Sequence, residues 1–519
     1  MKIKYLIPAI IAVLIGINSC DKDFEEINTN PVSAISMDPE YVFSNAQRNS
    51  VLTGYHYEGE IVQQINTPYG GVLEGGNRNT FNDSNADDNF VSLFQNSIRG
   101  LVDVIDKVKD DPVKINLYSM ARIWKAYCFQ ILVDTYADVP YSEAGLGYLE
   151  GVFNPKYDDQ KVIYADLLKE IEEATNALDP SKVMVKGDLF YKGDIAKWKK
   201  LGNSLLLRAG MRYTKYDEAV ARAAAAKAVD PARGGVMTSN ADNAIIQYND
   251  IFNFGLGSTL NGGERHNYYV GAPFVDYLKS TNDPRMLYMI VKYEFPANPL
   301  ATAGAANANP ADQQGMPYGY DETTLLSAPG FPGKIGAAYA YSQFNRATVA
   351  KVTGKYWMVT YACTQFLLAE ATQRGYINTG ITTQEYYEAG IRGALTQTEN
   401  EYGADLNITV NQQDTFLAEP DIAFDPDRAL EQINTQYWVA TFMQWPESWA
   451  NFRRSGYPAL SPINYPGCDP SVTTPSAGGF IRRLSYPLRE KTANASSVQE
   501  AAARIGGDNM GTRVFWDVN

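Results

Sequence analysis

The residues that most often carry acid–base or metal chemistry are scarce in this sequence. It has two histidines, His56 in YHYEGE and His266 in GERHNYY. Imidazole is the side chain that titrates near neutral pH and the commonest metal ligand, so a Ser-His triad or a His-based metal centre has almost no material. The four cysteines, Cys20, Cys128, Cys363 and Cys468, form no CxxC and no spaced Cys/His set, so no zinc site is expected. Adjacent carboxylates at Glu172-Glu173 and Asp87-Asp88 invite a glycoside-hydrolysis reading. Neighbours in sequence do not converge on one bond, however, and that chemistry needs two carboxyls about 5–10 Å apart across a cleft. No catalytic residue, cofactor or metal is therefore expected. What the chain offers instead is tyrosine: 35 of them, against 21 Phe and 7 Trp. A phenol has a flat apolar face and a polar tip, which suits ligands of the same character, such as sugars and peptides. Most of the tyrosines are expected to pack between helices with the hydroxyl reaching water.

Sugar recognition needs aromatic platforms for ring faces and Asn, Asp or Arg for hydroxyls. Three loop-like stretches supply both. TPYGGVLEGGNRNTFNDSNADDN, residues 67–89, offers Tyr69, Asn77, Arg78, Asn79 and Asp83 among glycines. NGGERHNYY adds Arg265, His266, Tyr268 and Tyr269, and MPYGY adds Tyr318 and Tyr320. The candidate ligand contacts are Tyr69, Asn77, Arg78, Asp83, Arg265, Tyr268, Tyr269 and Tyr320. Trp438, Trp445 and Trp449 recur at helical spacing and read as core, and Arg453-Arg454 reads either as a solvated pair or as one that caps a helix or pairs with a nearby acid.

The elements that must hold these loops are helical. Leu117, Ala121, Trp124, Cys128, Ile131 and Leu132 recur every three or four residues, in a pattern that must stop before Pro140. Residues 161–178 place Ile163, Leu167, Leu168, Ile171 and Ala174 on one face. A third helix begins after Asp194, a good N-cap, and a small-residue helix runs from Asp217 towards Pro231. Trp198, Leu201, Gly202 and Leu205 fit the start of a tetratricopeptide unit, and Ala219, Ala223, Ala226 and Pro231 its second half. WMVTYACTQFLLAEATQRGY with TQEYYEAGIRGALTQTE forms another pair, and the helices from Leu117 and Lys161 a third. Two late helices meet at Trp445-Pro446. Between the pairs, residues 67–89, 249–271 and 295–334 read as long irregular stretches, and the tail as an apolar strand or docking segment. No linker divides the chain, so residues 20–519 are read as one domain.

The N-terminus is distinctive. Lys2 and Lys4 precede an apolar run, Leu6 to Ile17, too short for the roughly 20 residues of a spanning helix and of signal-peptide length. Ile17, Ser19 and Cys20 fit a bacterial lipobox: an aliphatic residue three before the cysteine, a small one just before it, and the thiol that takes the lipid. Residues 1–19 are thus expected to be a lipoprotein signal peptide and Cys20 the lipidation site, since several acyl chains together anchor where one would not. Asp21, Asp23, Glu25 and Glu26 resemble the acidic tether of surface-exported lipoproteins in the Bacteroidetes. The formal charge of −14 argues against nucleic acid as a partner.

The ordered set INSCDKDFEEINTNPVSA, YVFSNAQRN, ARIWKAYCFQILVDTYADVPYSEA, FNPKYDDQKVIYADLLKEIEEATNAL and GDIAKWKKLGNSLLLRAGMRYTK, followed by FLLAEA, QYWVATFMQWPESWANFRRSGYP, RRLSYPLRE and VFWDVN, resembles the SusD/RagB family of outer-membrane nutrient-binding lipoproteins. The resemblance spans nearly the whole chain. It implies a mostly α fold in which four tetratricopeptide-like helix pairs support an irregular, loop-rich half, and a protein without covalent chemistry. It implies binding of an oligosaccharide, or a peptide, for delivery to a SusC-like TonB-dependent outer-membrane transporter, the protein being lipid-anchored and facing the cell exterior. It also implies that the loop around Tyr69 contributes ligand contacts. Three helix pairs are legible rather than four, and the Gly/Asn/Ala loop near 297–320 has no evident counterpart. A surface glycan hydrolase and a protein-binding scaffold or adhesin are the alternatives.

Overall fold

The computed structural model describes residues 37–51, 57–297 and 304–518. The lipobox with Cys20, and His56, lie outside them. The fold is mostly helical. Its strands are two to five residues long and pair into small antiparallel ladders, such as Ile65–Asn66 with Tyr269–Val270 and Lys355–Val359 with Ala244–Gln247.

The three expected pairs form. Ile115–Tyr136 packs on Gln160–Ala177, Ile195–Met211 on Glu218–Ala228, and Tyr361–Gln373 on Thr383–Thr396. Their starts follow from capping. The carboxylates of Asp159, Asp194 and Asp217 accept first-turn backbone N–H groups, and Thr382 with Glu385 makes a reciprocal capping box. Gly202 is required by close approach: a Cβ there would fall inside the side chain of Thr175 on the neighbouring helix. A fourth packed pair, Pro39–Asn49 on Arg99–Val108, joins the same body.

One apolar core runs from Phe43 to Trp516 and links all the pairs. Trp438, Trp445 and Trp449 lie in it, as their spacing predicts. Many tyrosines are buried too, and several turn their hydroxyls to protein rather than to water. Tyr136 donates to Ala86 O at 2.5 Å, Tyr191 to Asp242 O at 2.6 Å and Tyr486 to Asp138 O at 2.8 Å, because a buried hydroxyl must find a protein partner.

Several elements differ from the sequence reading. Arg453 and Arg454 are buried, not solvated. Arg454 forms a bidentate pair with Glu370 at 2.7 Å on both arms, and Glu370 also takes Arg374 at 2.8 Å. Those cations hold the Glu370 carboxyl down at about 2, against the pull of burial. The stretch 67–89 is not irregular to its end. A helix starts at Asp83, capped by Asn82, and continues through a π-helical segment, Ser92–Ile98, into Arg99–Val108. Its first turns are so rich in Asp and Asn that the apolar period is hidden. Gly255–Asn261 is likewise a short helix inside 249–271. The tail holds helices Leu488–Ala493 and Ala495–Ile505 and then docks without a strand, with Trp516 fully buried.

Candidate functional site

The loop that begins at Tyr69 is built on the short helix Tyr57–Ile61. The buried Glu60 carboxylate accepts the backbone N–H of Asn77 at 3.3 Å. Tyr57 donates its hydroxyl to Thr80 O. The chain crosses this helix so closely at Gly76 that a Cβ would sit on the Tyr57 carbonyl. Asn77 is buried and donates to Thr67 O at 2.7 Å and Asn66 Oδ1 at 3.2 Å. Arg78 is buried as well. It pairs with Glu74, donates to Pro68 O at 2.6 Å and lies 5.3 Å over the Tyr465 ring. Asp83 opens the following helix and accepts Leu488 N–H at 2.7 Å. The structure thus places Asn77, Arg78 and Asp83 as the fastenings of the loop, while Tyr69 stands at its edge, partly buried.

Tyr69 joins a cluster with aromatic residues from four other segments. Tyr269, Tyr339 and Tyr341 are buried, and Tyr69, Tyr320 and Phe331 pack partly exposed around them. Ring centroids are 6.3 Å apart for Tyr69–Tyr339, 6.1 Å for Tyr269–Tyr339 and 6.3 Å for Tyr269–Tyr341. Phe331 touches Tyr339 at 6.0 Å and Tyr341 at 6.3 Å, nearly edge-on to the first. Such tilted and edge-to-face contacts are the favoured geometry for aromatic pairs. The arrangement is locked by main-chain contacts: Tyr269 donates to His266 O at 2.6 Å while its oxygen accepts Tyr339 N–H at 3.1 Å. Burial first, then the neighbouring Tyr339 phenol, pushes the Tyr69 hydroxyl up to about 12, and burial pushes Tyr341 to about 12. Both phenols are neutral at physiological pH.

The rim is polar. Lys334 Nζ lies 4.9 Å over the Tyr339 ring. The Asp321 carboxylate is held below its ordinary range by hydroxyl and backbone donors of Thr323 and Thr324, and receives the Tyr465 hydroxyl at 3.4 Å. Glu322 is exposed beside them. The result is an aromatic cluster, partly exposed at Tyr69, Tyr320 and Phe331, with charged and hydroxyl groups nearby, a composition that suits a flat-faced polar ligand.

Of the remaining candidates, Tyr268 turns into the main core at 5 % exposure. Tyr318, singled out beside Tyr320, donates to Ile65 O at 2.6 Å and so fastens its own loop. Arg265 is half-buried, and its carbonyl accepts from Arg346 at 2.6 Å. The sequence reading did not single out Phe331, Tyr339, Tyr341 or Tyr465. The alternation in AYAY was the available signal, since residues two apart in an extended segment share a face. Among the described residues no group of His, Cys, Asp and Glu could hold a metal ion, and Cys128, Cys363 and Cys468 are free thiols. No described helix is long and apolar enough to cross a membrane.

Residues 27–487 match the family model SusD-like_2, described as starch-binding associating with outer membrane. No curated protein matches the chain. Among solved structures, a chitin-binding protein is 29 % identical with a TM-score of 0.75, covering 93 % of this chain and 100 % of that one. A SusD-like protein described as Bacteroidetes AC2a is 25 % identical with a TM-score of 0.78, at 93 % and 100 % coverage. A chitin-binding SusD homolog from Flavobacterium johnsoniae, 24 % identical with a TM-score of 0.73 over 93 % of this chain and 99 % of that one, shares the fold.

Proposed function

The chain belongs to the SusD-like family of starch-binding proteins that associate with the outer membrane, and from that premise we propose that it is a non-catalytic, lipid-anchored binding protein that captures an oligosaccharide for a SusC-like TonB-dependent transporter. The observation that carries the reading is the aromatic platform. Tyr69, Tyr320 and Phe331 are partly exposed and pack against the buried Tyr269, Tyr339 and Tyr341. A platform rimmed by Asp321, Lys334 and threonine hydroxyls matches a sugar chain, whose ring faces are apolar and whose edges are hydroxyls. The similarity to a chitin-binding protein makes chitin oligosaccharides the first ligand class to test. Anchoring through Cys20, with residues 1–19 removed as a signal peptide, rests on the lipobox. An orientation towards the cell exterior rests on the acidic residues after it.

The test is calorimetry of the purified protein with chitohexaose and maltohexaose, with Tyr69→Ala and Tyr320→Ala measured alongside. Binding of one sugar, weakened about tenfold by either substitution at unchanged melting temperature and with no cleavage product, supports the reading; ~1.4 kcal/mol corresponds to such a tenfold change. Turnover of the sugar, or binding indifferent to both tyrosines, refutes it. Labelled fatty-acid incorporation lost in Cys20→Ala tests the anchor separately.

A further inference from the structure

Seven residues of the long helical stretch Asp83–Val108, namely Ser92–Ile98, are wound as a π-helix. Such turns are rare and concentrate at functional sites. Two cavities open along this segment, of about 300 Å³ and about 480 Å³, and they share Gln95, Arg99, Gly145 and Tyr148 as a common wall. No residue lining them belongs to the tyrosine platform.

Two aromatic rings stand out of the surface here. Tyr148 is 91 % exposed and Phe153 81 %, both on the loop that walls the groove. The loop is fastened so that the rings are displayed rather than folded inward. Lys156 N–H donates to Glu143 at 2.9 Å, Asn494 Nδ2 donates to Pro155 O at 2.7 Å, and Gly151 closes the short helix Gly147–Glu150 in the left-handed conformation. The polar groups at the junction are open for use. Gln95 and Asn96 are exposed on the π segment. Arg99 is exposed and has no ion pair among the described residues, whereas nearby Lys107 is matched to Asp103 at 2.7 Å and Arg489 to Asp87 at 3.1 Å.

We propose that this groove is a second glycan-binding site, in which a chain of pyranose sugars stacks on Tyr148 and Phe153 while Arg99, Gln95 and Asn96 bond its hydroxyls. The inference rests on the reading of the protein as a glycan binder. The lining favours a sugar chain over a protein partner. It is concave and has the volume of small-molecule sites. Its apolar lining, which besides the two rings includes Phe94, Val91, Val152 and Met37, is divided between two concave cavities rather than spread over the broad face that a stable protein interface buries. Its amides and guanidinium offer paired donors and acceptors that match hydroxyls. Two cavities sharing a wall provide adjacent subsites, so a longer chain gains more than a short one. The groove would add a second hold on a polymer already seated on the tyrosine platform, which strengthens retention through effective concentration.

The experiment uses the purified full chain with chitohexaose, maltohexaose and the corresponding insoluble polymers. The double variant Tyr148→Ala/Phe153→Ala is compared with Tyr69→Ala. Both rings are exposed, so the double variant is expected to melt like the parent protein. The expected result is two hexasaccharide sites in the parent, one in each variant, and at least a tenfold loss of polymer retention in the double variant with the platform site intact. Unchanged stoichiometry and retention in the double variant, with Tyr69→Ala still losing its site, overturn the groove and leave the proposed function standing. Loss of co-purification with an outer-membrane barrel at unchanged glycan binding makes the groove a protein-docking face and overturns the proposal. Silence of the parent protein towards every sugar overturns both readings.

Discussion

Glu58 is a carboxyl with almost no water: it is 1 % exposed on the helix Tyr57–Ile61 that supports the candidate loop, and its partner is the Asn89 amide. Burial raises its pKa from 4.5 to about 7, although its own backbone N–H, the Asn89 amide and the Arg453 charge all pull it down. A raised folded-state pKa means that the folded protein holds the proton more tightly than the unfolded chain. Below pH 4.5 both states are protonated and the group costs nothing. Between 4.5 and 7 the unfolded chain ionises first, so folding loses stability as pH rises. Above 7 both states are ionised and the loss levels off. A separation of about 2.5 pKa units at ~1.36 kcal/mol per unit sets the full loss at about 3 kcal/mol. Glu58→Gln keeps the size and an acceptor for Asn89 but cannot ionise. Its stability relative to the parent should therefore rise from near zero at pH 4.5 to about 3 kcal/mol at pH 8. Urea unfolding at pH 5, 6.5 and 8 measures this as a difference between the two proteins, which cancels the other buried acids, such as Glu60, that shift the same way. A stability difference that stays constant with pH, or a variant less stable than the parent at pH 8, would falsify the reasoning.

Glu370→Ala is expected to cost ~3–5 kcal/mol in chemical denaturation, because it leaves the Arg454 guanidinium buried without its anion; a loss under 1 kcal/mol would show that Asn434 and Asn451 suffice to hold that charge. Glu370 has the opposite sign to Glu58. Its pKa is held at about 2, so its contribution is complete above 4.5 and disappears as pH falls towards 2. Gly76→Ala puts a methyl group on the Tyr57 carbonyl and should destabilise by roughly 1–3 kcal/mol. It should also weaken sugar binding by displacing Tyr69, an effect that calorimetry would separate from the melting temperature; unaltered affinity would show that the Gly75–Arg78 turn does not position the platform.

The helical half was legible because its information is local. Asp194 caps the helix that Trp198, Leu201 and Leu205 continue, and the apolar period of Leu117 to Leu132 specifies a buried face without reference to distant residues. Tyr69, Tyr269 and Tyr320 could be singled out for the same reason, since aromatic residues amid Gly and Asn stand out in a sequence. Residue type alone did not distinguish Tyr269 from Tyr268, although one joins the platform and the other faces the main core. Nor did it show that Asn77 and Arg78 face inward as fastenings. Glu370 and Arg454, 84 residues apart, meet only through packing, and so does the ring formed by Tyr69, Tyr269, Tyr320, Phe331, Tyr339 and Tyr341. The sequence by itself determined the mostly α class, the helix starts and the supply of ring faces, because caps and periodicity act within a few residues. Tertiary structure alone decided which rings share a surface and which charges are buried together, because those choices depend on burial and on contacts between segments hundreds of residues apart.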